Sequence, residues 1–354
     1  MGKGLVLLAV TQGGVMAKQW TAGEMLELSS AYWRTFALQA GVVLDIFTVL
    51  DSMDKEGKAL TVPALAKAVN SDERALGMLV TALTALGFLD RYDDALSLPD
   101  HSRTYLSRNS EEYVGFIIQH HVHITPAWSK LAQAVKSGSS MRDVSSSYTE
   151  DEAERESFLM GMFNVALNQA EKIAASLDLS GRKRLIDLGG GPGTYAVFFC
   201  RANPDLSATI YDRPTTETFA RGIVRRYGLE DRIDFAGGNF HTDPLPQGYD
   251  VVWISQILHG DSPEKAASLV RKAGAILNPG GLLVIQDFVL DDDLRGPAHP
   301  ALFSLNMLVG TDGGQAYTWK QIEAMMRDAG AESVSRLHVD LPMGCGILVG
   351  RMPE

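Results

Sequence analysis

The densest chemical signal in the chain is RLIDLGGGPGTYA, where an apolar β-type run ends in Gly189, Gly190, Gly191 and Gly193. Glycines at a strand-to-helix turn supply positive φ without steric cost and let backbone approach a ligand closely. Gly191, Gly193 and Ala196 satisfy the dinucleotide pattern G-x-G-x-x-A, so the turn alone does not exclude a nicotinamide enzyme. Further on, Asp212 closes ATIYD beside Arg213. A carboxylate there can accept from both hydroxyls of a ribose, whether of a dinucleotide or of S-adenosylmethionine. Two positions separate these cofactors. Asp187 stands shortly before Gly189, where a dinucleotide site usually has an apolar residue, and GGNF places Asn239 to read an adenine edge with its carboxamide.

A second group of residues could act on a substrate. His259, in SQILHGDSPE, follows a later β-type run at the edge where a site should lie. Its imidazole could act as a general base, although a lone histidine there is more often structural. QHHVHITPAW gathers His120, His121, His123 and Trp128 without the carboxylate or thiolate that would complete a metal site, so cavity lining is expected and no metal. Met162 and Phe163 in FLMGMFNVALNQ, with Asn306 and Met307 in ALFSLNMLVG, read equally as core or as an apolar pocket carrying amides.

These residues need elements to hold them. Between Thr21 and Leu50, apolar residues including Met25, Leu28, Tyr32 and Phe36 recur at helical spacing, predicting one or two packed helices. Thr61 and Ser71 are placed to cap two further helices, Gly87 ends the second, and FLDRYDDALSL reads as a hairpin, together a winged helix. Its second helix opens with Asp72 and Glu73 and is then mostly apolar, which suits packing or dimerisation better than a DNA groove. Residues 111–180 read as helical, interrupted by the Ser-rich stretch 137–148. From residue 181, the runs RLIDL, SATIY, RIDFA, DVVWI and GLLVIQ alternate with helical segments, predicting an α/β fold with a parallel sheet covered on both faces. SVSRLHV and CGILVGR, joined through LPMG, predict an antiparallel hairpin at its edge. The expected division is a flexible tail at 1–17, a winged-helix domain at 18–110, a helical linker at 111–180 and a cofactor domain at 181–354.

Composition narrows the partners. A net charge of −11 over 354 residues argues against a binder of phosphate backbones. No apolar run approaches the ~18 residues of a membrane helix, and Cys200 and Cys345 form no paired motif, so a reducing cytoplasm is expected. Met1 to Ala17 faintly echoes a signal peptide, but a tail, or a start at Met16, is the expectation.

From about Trp20 onward the chain resembles the two-domain S-adenosylmethionine-dependent O-methyltransferases of the plant caffeate and bacterial hydroxyneurosporene type. Their runs LVDVGGGTG, GDMF, LHDW and GGxERT appear here as LIDLGGGPG, GGNF, LHGD and GGQAYT. The resemblance implies a Rossmann-like class I methyltransferase sheet, a homodimer formed through the winged-helix domain, a small-molecule acceptor, and neither nucleic acid nor membrane as partner. It gives Gly189 the cofactor's amino-acid part, with Asp187 and Gly191 in the same turn, and Asp212 the ribose. Asn239 falls on an adenine-facing Asp, Phe240 on a Met that covers the ring, and Ser255 on a Lys of the plant enzymes. His259 matches the catalytic base and Asp287 one of two carboxylates that orient it. The other falls on Ala316, and the residue after His259 is Gly260 rather than Asp. Those departures leave room for a carbon or nitrogen acceptor methylated by proximity alone. The implied acceptor pocket takes Met162, Phe163, Asn306, Met307, His120 and Trp128. A winged-helix regulator that senses a ligand on DNA is the rival from another class, and the acidic second helix speaks against it.

Overall fold

Side-chain caps mark three of the helix starts in the N-terminal part. The computed structural model describes residues 19–142 and 151–354; the expected tail at 1–17 and residues 143–148 of the Ser-rich stretch lie outside the described residues. Thr21 and Glu24 form a capping box on α1 (Ala22–Ser29), followed by α2 (Tyr32–Val43) and α3 (Ile46–Lys55). The segment expected to hold one or two helices holds three: the chain turns at Ser30–Ala31 between α1 and α2, and Asp45 takes a left-handed φ of 56° between α2 and α3. Thr61 caps α4 (Val62–Ala68) as expected. For α5 (Glu73–Ala85) the cap is Asp72, one residue after the expected Ser71: its carboxylate accepts the Ala75 amide at 2.8 Å. β1 (Asp90–Tyr92) and β2 (Ala95–Ser97) pair antiparallel to complete the wing.

Phe47, Leu50, Leu65, Val80, Leu83 and Leu89 fill the core of this part. Met25, Leu28, Tyr32 and Phe36 do not join it. They lie exposed with Leu26 and Trp33, so the apolar face of α1 and α2 is uncovered among the described residues. No single helix among the described residues is long and apolar enough to cross a membrane.

After α6 (Asp100–Leu106), the helices α7 (Gly115–Trp128), α8 (Leu131–Ser137) and α9 (Glu152–Ser176) lead into the sheet. Its strands are β3 (Arg184–Leu188), β4 (Ser207–Asp212), β5 (Ile233–Gly237), β6 (Tyr249–Ser255), β7 (Leu277–Leu290), β8 (Tyr317–Thr318), β9 (Ser333–Arg336) and β10 (Cys345–Arg351). They order as β5-β4-β3-β6-β7-β10-β9, with β8 added beside β7. β3 to β7 run parallel, and β10 lies antiparallel between β7 and β9. The strand order reverses at β3, whose neighbours β4 and β6 leave a crevice beyond their carboxyl ends.

Strict alternation divides the two faces. Leu185, Trp253 and Val284 pack with α9 and α10 (Thr194–Ala202), while Ile186, Ile254 and Ile285 pack with α12 (Pro263–Gly274) and α14 (Trp319–Asp328). The remaining helices are α11 (Glu217–Arg226) and α13 (Ala298–Gly310).

Candidate active site

A cavity of about 810 Å³ opens above the crevice, walled by the turns after β3, β4 and β6 and by α9 and α13. Gly189, Gly191 and Gly193 all take positive φ, at 76°, 52° and 77°. A Cβ on Gly193 would come within 2.2 Å of Ile210, and one on Gly189 within 2.5 Å of Ile257, so no larger residue fits this close packing. The turn is tied to β4: Asp212 accepts from the amides of Gly191 at 2.7 Å and Arg213 at 2.6 Å, and from the Thr216 hydroxyl at 3.3 Å. Burial nonetheless raises the Asp212 carboxyl above its ordinary range.

Asp187 is almost wholly buried, on the cavity side of the same turn. Burial pushes its carboxyl up to about 7, the Ala196 amide works against that, and the nearby Asp212 adds to it. Its Oδ2 has no protein partner. A buried carboxylate oxygen without a donor is costly, and a ligand ammonium would satisfy it.

The loop after β5 places Phe240 and His241 on the wall, their rings 4.5 Å apart, and Lys272 pins it by donating to the carbonyls of Phe240, His241 and Asp243. Asn239 is not on the wall. Its carboxamide oxygen accepts the His241 backbone amide at 3.1 Å and its backbone amide donates to Asp243 at 2.8 Å, so these two groups close the turn. Across from His241 lies Asp261, whose Oδ1 is 3.2 Å from His241 Nε2.

At the end of β6, Ser255 donates to Gln286 of β7 at 2.8 Å. Gln256 follows in a left-handed conformation, φ 59°, and donates to the Cys345 sulfur at 3.3 Å. The chain then turns through a short 3₁₀ segment, Leu258–Gly260, that carries His259 to the wall. His259 Nδ1 is 2.6 Å from Asp287 Oδ1, and the same carboxylate accepts the Phe288 amide at 2.8 Å. Asp287 holds Nδ1, so a neutral imidazole keeps its lone pair on Nε2. Phe303 packs edge-on to the ring at 4.7 Å.

The acceptor side departs most from expectation. Met162 and Met307 line the cavity, with Phe158, Leu159 and Gln169 continuing one face of α9. Phe163 does not: one residue is about 100° of helix, which turns it into the core beneath α9, 2% exposed. Trp128 and Asn306 are also off the wall, because the indole Nε1 donates to the Asn306 carboxamide oxygen at 2.7 Å and each satisfies the other. His120 packs edge-on to Phe158 behind the wall, and burial holds its imidazole down to about 3. Among the described residues no three His, Cys, Asp or Glu side chains converge as a metal site. Residues on the wall that the motifs did not flag include Gln169, Tyr195, His241, Gln256 and Asp261. An orphaned carboxylate oxygen marks Asp261, but only once the fold is known.

Known proteins resemble this architecture along almost its full length. A family model described as an O-methyltransferase domain matches residues 128–332, and one described as an O-methyltransferase dimerisation domain matches residues 26–108. The 3-hydroxy-5-methyl-1-naphthoate 3-O-methyltransferase of Streptomyces sahachiroi is 32% identical over 330 residues, 92% of this chain and 94% of that protein. The tetracenomycin polyketide synthesis 8-O-methyl transferase TcmO of Streptomyces glaucescens is 32% identical over 338 residues, 94% of this chain and 97% of that protein. The solved structure of human N-acetylserotonin methyltransferase in complex with SAM shares the fold with a TM-score of 0.83, covering 96% of this chain and 100% of that one at 24% identity. With a family model across more than half its length and two such relatives, the chain belongs to the S-adenosylmethionine-dependent O-methyltransferases that carry an N-terminal dimerisation domain.

Proposed function

We propose that this enzyme methylates a hydroxyl of a small aromatic or polycyclic metabolite, with His259 taking the hydroxyl proton. The observation that carries the proposal is the 2.6 Å contact between Asp287 and His259 Nδ1 on the cavity wall, which reserves Nε2 for the acceptor. Relatives that act on a naphthoate and in tetracenomycin synthesis support an aromatic acceptor.

S-adenosylmethionine, when bound, supplies a methyl group on a sulfonium. Asp187 and the turn at Gly189 and Gly191 would hold its amino-acid end, Asp212 its ribose with Arg213 alongside, Phe240 its adenine face, and Ser255 the edge between donor and acceptor. Met162 and Met307 would close on a flat acceptor with soft, adaptable contacts. His259 Nε2 would take the hydroxyl proton and the Asp287 carboxylate would balance the imidazolium, while the donor, giving up its methyl to the oxygen, would leave as the neutral thioether S-adenosylhomocysteine.

The proposed division of labour runs along the chain. Residues 18–110 pair two subunits through the exposed faces of α1 and α2, 111–180 wall the acceptor side, and 181–354 hold the donor. No nucleic-acid or membrane partner enters this function, and the proposed location is the cytoplasm, where thiols such as the buried Cys200 stay reduced.

Ala316 in place of a second orienting carboxylate, and Gly260 after the histidine, favour one alternative: a carbon or nitrogen acceptor methylated by proximity. His259→Ala separates the two. Proton abstraction by His259 requires turnover to fall by about 100-fold or more with donor affinity preserved. Unchanged turnover, read by transfer of labelled methyl from the donor to acceptors in cell extract, would assign the chemistry to proximity.

A further inference from the structure

We propose that Asp261, backed by His241, reads the exocyclic amine of the donor's adenine in place of Asn239; this rests on the donor role proposed above and deepens it. Asn239 occupies the position that the family resemblance gives to an adenine-facing carboxylate. Here its side-chain oxygen is engaged by the His241 amide, and the residue lies behind the wall. The next two side chains, Phe240 and His241, do reach the wall.

Asp261 faces them from the turn after His259. It is 8% exposed, its Oδ1 stands 3.2 Å from His241 Nε2, and its Oδ2 is buried with no partner among the described residues. Its backbone is fixed at both ends of the residue: the amide donates to the Leu258 carbonyl at 3.0 Å, and the carbonyl accepts the Tyr317 hydroxyl at 2.6 Å. An acceptor oxygen held this rigidly, beside a flat aromatic face, suits a ring that carries an amine on its edge. Burial raises the Asp261 carboxyl above its ordinary range, and His241 and Lys265, both on the same wall, work against that by favouring the carboxylate.

A carboxylate only accepts, so it distinguishes adenine, which presents an amine, from hypoxanthine, which presents a carbonyl at the same position. The test is calorimetric binding of S-adenosylhomocysteine and its 6-oxo analogue, S-inosylhomocysteine, to the full chain. The wild type is expected to prefer the adenine form by at least about tenfold. Asp261→Asn can turn an NH₂ toward the carbonyl and should narrow that preference to within about twofold or reverse it, and Asp261→Ala should lose affinity for the adenine form only. Asn239→Ala should keep the wild-type ratio. An unchanged ratio in both Asp261 variants, or its loss in Asn239→Ala, overturns the assignment while leaving the donor role intact. Failure of the wild type to bind S-adenosylhomocysteine would overturn the donor role itself.

Discussion

Asp212 Oδ2 accepts the amide hydrogen of Gly191 at 2.7 Å, so the end of β4 and the glycine turn after β3 form one unit. The carboxylate that would meet a ribose also shapes the backbone that would meet the donor's amino acid. Asp212→Ala should therefore weaken S-adenosylhomocysteine binding by about 10- to 100-fold and also lower the melting temperature, since two amides lose their acceptor. Calorimetry and thermal denaturation check both arms; loss of affinity at unchanged stability would mean that the turn holds itself.

The buried Asp187 carboxyl makes the free enzyme sensitive to pH. Its folded pKa of about 7 lies above the ordinary aspartate value of 3.8, so the fold binds its proton more tightly than the unfolded chain does. That contribution is fully present below about pH 4 and is lost as pH rises through about 7. The melting temperature of the wild type should fall relative to Asp187→Asn between about pH 5 and pH 8, and S-adenosylhomocysteine should narrow the gap because an ammonium compensates the charge. Parallel curves for the two proteins would refute this.

Asp287→Asn leaves one side-chain oxygen as acceptor but offers His259 a neutral partner. Turnover at saturating donor should drop by about 100-fold or more, with S-adenosylhomocysteine affinity within about threefold of wild type. Turnover within about threefold of wild type would remove Asp287 from the mechanism.

The exposed face of α1 and α2 predicts its own test. Leu26 is 71% and Trp33 66% exposed, an arrangement that a second subunit would cover. Light scattering on sized samples should show a dimer for the wild type and a monomer for Trp33→Glu at about 10 μM. A wild-type monomer, or a dimer that survives the charge, would place the interface elsewhere.

What could be read from sequence alone was local. The glycine turn, the Asp212 position and the alternation of β3 to β7 were legible because spacing of a few residues fixes them. The acceptor wall was not, because its geometry depends on helix phase and distant partners. Met162 and Phe163 are neighbours in sequence, yet one lines the cavity and the other fills the core. Trp128 and Asn306, 178 residues apart, satisfy one another instead of a ligand. Asn239 is well placed by motif, but a two-residue backbone turn claims its oxygen, which no motif encodes.

Gln286 and Asp287 are consecutive on β7, and the pleat sends them to opposite faces, one to Ser255 and the other to His259. The separation between donor edge and base is thus set by a single peptide step inside a buried strand. The facing wall is drawn from α9 and α13, and α13 also touches the base, because its Phe303 packs edge-on to the His259 ring. Side chains on α9 can therefore reshape the cavity while that peptide step stays as it is, whereas changes on α13 near Phe303 reach the base as well.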